Sequence, residues 1–127
     1  MSDISTYQRN RLVNVSVRAT NLTAPTTVYL ALFTAMADPE SGTEVADATY
    51  ARQAITFSAP SNGVTANSAE VAFPAATTGF TATHARIMDA VTAGNAITKI
   101  KALAASKVVG AGDILKFPVG EIDFGIL

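Results

Sequence analysis

The sequence predicts a mostly β protein: a jelly-roll-like antiparallel β-sandwich of about eight strands with an N-terminal α-helix. Three observations carry that expectation. Short apolar or alternating segments recur through residues 26–127, separated by turn-forming residues at intervals of roughly 8 to 12, the spacing of sandwiches and barrels. Helix-like spacing is confined to the first twenty or so residues. No internal repeat, heptad or collagen-like period is visible, so the chain reads as one domain, with a helical arm over 1–22 and the sandwich over 26–127.

In the arm, Ile4, Tyr7, Leu12, Val15 and Ala19 recur near the helical period, and Asp3 stands where an N-cap belongs. The β-branched run around Val13, Val15 and Val17 weakens the helix, because such side chains lose rotamer freedom there. Pro25 closes the arm, since a proline disfavours helix at the residue before it.

Thr27 to Thr34 is apolar on both faces and reads as a central strand covered on both sides. Ala35 to Thr49 reads as a long polar loop with at most a short pairing at Glu44–Val45. Ala51 to Ser58 alternates, placing Ile55 and Phe57 on one face. Asn62-Gly63 supplies the positive φ angles of a tight hairpin, and Gly94-Asn95 is a second such signal. Between and after them, strands are expected at Val64–Ala66, Ala69–Phe73, Ala82–Asp89, Ala96–Leu103, Lys107–Val109, Ile114–Phe117 and Ile122–Ile126. The expected core is Val28, Leu30, Leu32, Ile55, Phe57, Phe73, Ile87, Ile114 and Phe117.

Composition narrows the function. The 127 residues include no cysteine, which removes disulfides and thiolate metal sites. Nine cations against ten carboxylates leave a net charge of −1, which gives no electrostatic reason to bind nucleic acid. Charged residues are only 15% of the chain, against roughly 25% in ordinary soluble proteins, which fits equally a protein packed against copies or partners and a surface whose polarity comes from Thr, Ser and Asn. The longest apolar run, Val28 to Phe33, is far short of a membrane span, and Met1 to Arg11 lacks the apolar stretch of a secretion signal.

No catalytic constellation is apparent. The single histidine, His84, has no nucleophile pattern beside it, and a locally bonded strand residue is the better reading. Asp38, Glu40, Glu44 and Asp47 lack the spacing of a cation loop and read as solvated carboxylates. Glu121 and Asp123 alternate with Ile122 and Phe124, the polar face of a terminal strand rather than a glycosidase pair. The expectation is therefore a protein that is not an enzyme and takes no cofactor or metal. A sugar-binding module is disfavoured, because there is no tryptophan and the three tyrosines fit core or interface better.

Several stretches resemble a family of small tailed-phage virion proteins: TVYLALFTA at 27–35, GTEV at 42–45, YARQAITF at 50–57 and NSAEVAFPAAT at 67–77. Asp89-Ala90, Gly94-Asn95, Ser106-Lys107 and Gly112-Asp113 continue the resemblance, while Gly79-Phe80-Thr81-Ala82 departs from the family's aromatic-plus-glycine turn. Members are commonly labelled tail-fibre-like, and small jelly-roll proteins of this size also serve as capsid cement or decoration proteins. The resemblance implies a fold and a virion setting, made in the bacterial cytoplasm, without an activity. The absent shaft favours a cement subunit on the capsid exterior, a dimer or trimer that binds the major capsid protein or another virion protein; a tail or tail-fibre component, adaptor or receptor-contacting, is the alternative. The contacts expected are Arg9, Arg11 and Arg18 on the helix, Asp38, Glu40 and Glu44 in the long loop, and Tyr50 just beyond it. With no metal in the fold, thermal melts recorded with and without a chelator should coincide. A large drop on chelation would revive the 38–47 loop as a cation site.

Overall fold

The computed structural model describes residues 3–126; Met1, Ser2 and Leu127, which the expected spans include, lie outside the described residues. One helix, α1 (Thr6–Val17), is followed by nine strands: β1 (Val28–Asp38), β2 (Ser41–Glu44), β3 (Gln53–Ile55), β4 (Val64–Ala66), β5 (Val71–Ala72), β6 (Gly79–Met88), β7 (Lys101–Gly110), β8 (Lys116–Phe117) and β9 (Asp123–Gly125). All pairings are antiparallel. The chain is mostly β with one N-terminal helix, as expected, and its layers are those of a β-sandwich.

β1 organises the sandwich. It pairs along one edge with β6, from Tyr29↔Met88 to Phe33↔His84, and β6 pairs in turn with β7. Its other edge is shared, β3 taking the first half and β2 the second. Facing this sheet are two short ribbons, β4 with β9 and β5 with β8. Leu30, Leu32, Ile55 and Ile87 from the sheet meet Val71, Phe73, Leu115, Phe117 and Ile122 from the ribbon side to form the main core. Phe73 is central to it, stacked on Tyr50 at 6.0 Å and edge-on to Phe117 at 6.2 Å. Asn67, fully buried, ties the ribbons together: its amide donates to the carbonyls of Ala69 and Pro118, and its oxygen accepts from the Ile122 N–H.

The expected two-sided burial of β1 holds, and the structure shows what covers the second face. Ala31 and Phe33 pack there with Met88 and Ile100. The cover is irregular chain: the Ile97 N–H donates to the Ile87 carbonyl, Ser5 N–H to Ile97 and Lys99 N–H to Asp3. Ile4 is buried in this layer. Residues 3–5 are thus joined to the body ahead of α1. Asp3, expected as the helix cap, accepts instead from the Gly125 N–H and pairs with Lys101. Ser5 is the cap, its hydroxyl accepting from the Gln8 N–H at 3.1 Å.

Four further expectations are corrected. Ala35 to Thr49 is not one loop; β1 runs on to Asp38 and turns into β2, with the Asp38 carboxylate accepting from Glu40 N–H and the Ser41 hydroxyl. Gly42 permits that hairpin, because a Cβ there would lie 2.5 Å from the Ala35 carbonyl oxygen. Second, the separate strands expected at Ala96–Leu103 and Lys107–Val109 give way to one strand, β7, preceded by the bridging segment 96–100. Between the pairs Ala82↔Lys107 and His84↔Ala102, β7 places Leu103, Ala104, Ala105 and Ser106 opposite the single residue Thr83, a wide bulge. Third, Ile114 is 56% exposed and Leu115 takes the core position beside Phe117. Fourth, the second turn carries its positive φ angles at Ala93 and Gly94 rather than at Gly94-Asn95. The first turn is as expected: Asn62 and Gly63 both have positive φ, and Ser61 and Val64 exchange both backbone hydrogen bonds.

The one-residue phase at Ile114–Leu115 makes a direct test. Phe117→Ala should cost about 3–5 kcal/mol, whereas Ile114→Ala should stay within about 0.5 kcal/mol of wild type. Urea midpoints decide; equal losses for the two variants would mean that the strand faces are assigned wrongly.

Candidate interaction surface

The carboxylates of the 38–47 region and the arginines of α1 were the expected contacts, and the fold sends them to different places. Glu40, on the β1–β2 turn, is drawn inward by Arg86. That guanidinium is buried and donates to the Thr98 carbonyl at 3.1 Å, and to the Glu40 carbonyl and one Glu40 carboxylate oxygen, both at 3.3 Å. Burial pushes the Arg86 pKa down, and the Glu40 charge opposes the shift. The other Glu40 oxygen accepts from the Thr6 N–H at 2.9 Å and from its hydroxyl at 3.0 Å, placing a carboxylate on the positive end of α1. Glu40 therefore joins the hairpin, β6, the 96–100 segment and the start of the helix.

Glu44 and Tyr50 form a second internal knot. Both Glu44 oxygens accept from Arg52, at 2.9 and 3.0 Å, and one also accepts from the Tyr50 hydroxyl at 2.6 Å. The same hydroxyl accepts from the Leu32 N–H at 2.9 Å. Burial raises the Glu44 carboxyl, but the bonds from Arg52 and Tyr50 outweigh it and hold the group below the usual carboxylate range. Arg52 continues to the Ala90 and Ala93 carbonyls, fixing the turn after β6.

Asp47 is a latch. Its carboxylate accepts from four backbone N–H groups, those of Thr77, Thr78, Gly79 and Thr49, and from the hydroxyls of Thr49 and Thr78. Those bonds, led by Thr77 and Thr78, depress its pKa strongly. The Asp38 pKa is also lowered, by the bonds from Glu40 N–H and the Ser41 hydroxyl.

Other chemistry-bearing groups are also tied down. Lys107 pairs with Glu121 at 2.8 Å, and Lys101 pairs with Asp3 and Asp123. They line a cavity of about 240 Å³ beneath β7 with Leu103, Phe117 and Phe124. The Nδ1 of His84 lies 2.8 Å from the Thr83 hydroxyl. Among the described residues no group of three or more His, Cys, Asp or Glu side chains could hold a metal ion. No helix among them is long and apolar enough to cross a membrane.

The helix arginines remain outside these networks. Arg9 donates to the Thr6 hydroxyl, Arg11 to Gln8 and the Thr23 carbonyl, and Arg18 to Asn14. Arg11 also lies over the Tyr7 ring, 5.2 Å from its centre. None of the three meets a carboxylate among the described residues, and α1 has no buried residue. Val13 and Val17, 55% and 78% exposed, stand on its outer side. The expected contacts thus separate: Arg9 and Arg18 are exposed on α1, Arg11 turns toward the strap that follows it, Asp38 sits at an exposed turn, and Glu40, Glu44 and Tyr50 hold the fold together. Arg52 and Arg86 went unnoticed in the sequence; the one available signal was a lone arginine between Ala85 and Ile87 in a strand apolar on both sides.

A sandwich whose charged groups chiefly join its own layers, with one uncovered helix, defines a structural β-module. Its family is the podophage GP4 fiber I protein gp80 family, whose model matches residues 3–125, and the chain belongs to it. It is a structural protein of a tailed-phage virion, and as such it associates with other virion proteins. No curated protein matches the chain.

Asp47 supplies a pH test. A carboxylate with a depressed pKa contributes stability that is present above its unfolded pKa, about 4, and is lost as pH falls toward the folded value. Asp47→Asn should therefore lower the urea midpoint at pH 7, and the gap to wild type should close as the pH drops below about 4. A gap that is constant across that range would show that the charge of Asp47 is not what the variant removes.

Proposed function

We propose that the protein is a non-catalytic structural subunit of the virion's fibre, used in several copies per fibre. The observation that carries this reading is that the fibre-protein family spans nearly the whole described sandwich, residues 3–125. The geometry agrees with a building block: Glu40, Glu44 and Glu121 are engaged by Arg86, Arg52 and Lys107, and the one element left uncovered, α1, is suited to making a joint.

A second reading is a cement subunit on the capsid exterior, contacting the major capsid protein. The feature that favours it is the compact sandwich without a repeated shaft, which suits a clamp between shell subunits. Location separates the two. Immunogold electron microscopy of intact virions, with copy number from mass spectrometry, should place label on fibres at the tail, with copies far fewer than those of the shell protein. Label spread over the head, at a copy number comparable with the shell protein, would replace the fibre reading with the cement one. Particles lacking the protein should then burst more easily, whereas loss of a fibre should leave the head robust and impair adsorption.

A further inference from the structure

The helix α1 is built as though something covers it. It has 12 residues and no buried side chain, and it shares no substantial contact with any strand. Isolated helices of about 12–15 residues are marginal in water even when rich in alanine. This one contains Asn10, Val13, Asn14, Val15 and Val17, all weaker helix formers. Its support within the chain is confined to its ends: the Ser5 cap and Glu40 on Thr6 at the start, and at the other end the exposed strap held by Arg11 on the Thr23 carbonyl. Arg9, Val13 and Val17 follow one another at four-residue steps and share the outer side.

Charge indicates what the cover is. Residues 6–18 hold three arginines and no carboxylate, so with a net charge of −1 for the chain the remainder stands at −4. Asp38, Glu70 and Asp113 are exposed on that remainder and form no ion pair among the described residues. Each copy thus carries a cationic helix with an exposed apolar stripe and, on a body of net negative charge, exposed carboxylates without an ion pair. Packing α1 against α1 would bring like charges together; packing α1 against the acidic body of another copy brings opposite charges together.

We propose that α1 of one copy docks on the carboxylate-bearing body of a second copy and so forms the joint between subunits. Val13 and Val17 supply the buried apolar contact, and Arg9, on the same side, supplies the charge match. The proposal rests on the fibre reading only in that fibres contain repeated copies, and association in solution is measured without reference to where the protein sits on the virion.

Sedimentation velocity of the purified full chain over a range of concentration and salt tests it. Wild type should self-associate, and more weakly at high salt, as screening predicts. Val17→Asp should weaken association by roughly tenfold or more, through lost apolar burial. Arg9→Glu should weaken it and remove most of the salt dependence. Since α1 buries nothing in its own chain, both variants should keep the wild-type melting temperature, which separates a lost joint from a lost fold. Reversing Asp38, Glu70 or Asp113 to lysine in the Arg9→Glu background should restore association for whichever carboxylate receives the helix. A protein that stays monomeric at high concentration overturns the proposal, even if α1 variants fail to enter virions; α1 would then seat on a different virion protein. Association unchanged by both α1 variants also overturns it, and would move the joint elsewhere on the surface.

Discussion

A strand that buries both faces needs a covering layer on each side, and β1 imposes that requirement on the whole molecule. One cover is the pair of ribbons, an ordinary sandwich partner with aromatic packing. The other is made from backbone with little regular structure, residues 3–5 and 96–100, and such chain carries polar groups that must be satisfied when it lies on a core. Arg86 answers that need. From the second face of the sheet it reaches carbonyls on two separate segments and fixes Glu40 between itself and the helix. A buried guanidinium paired with one carboxylate adds little net stability over an apolar side chain, but it is costly to break. Its effect here is on arrangement: the covering segment, the hairpin and the start of α1 are set relative to one another by a single side chain.

The parts of this arrangement visible in the sequence are those where one residue decides a local conformation or where burial is extreme. The apolar run of β1 and the Asn62-Gly63 turn are of this kind. Ile114 and Leu115 show the limit. Both are apolar and adjacent, and the period of two cannot choose between them without a partner strand. The β1–β2 hairpin was obscured because its far half is exposed and built of small and polar residues, which leave no alternation to read. β7 was divided because its bulge breaks the period midway.

The interaction surface was legible in part, for a related reason. The sequence shows which residues carry charge but not which charges are satisfied. Asp47 finds its donors about thirty residues away in backbone N–H groups, which have no side-chain signature. Glu44 and Tyr50 look like loop residues until Arg52 and the Leu32 N–H are brought beside them. The three helix arginines are the reverse case: that none forms an ion pair among the described residues is a property of the fold, although the acid-free stretch that makes it possible is plain in the sequence.

The bulge in β7 has a consequence for how copies can meet. β7 ends its sheet, and a flat terminal strand offers a ladder of free backbone groups to any other extended chain. Four residues opposite one interrupt that ladder in its middle, and Lys101 and Lys107 flank the interruption. Along β7 a newly made chain therefore lacks the straight border by which sheets fuse into fibrils. A contact made at this border must rest on side chains, and a contact made that way can be undone, tried again and corrected.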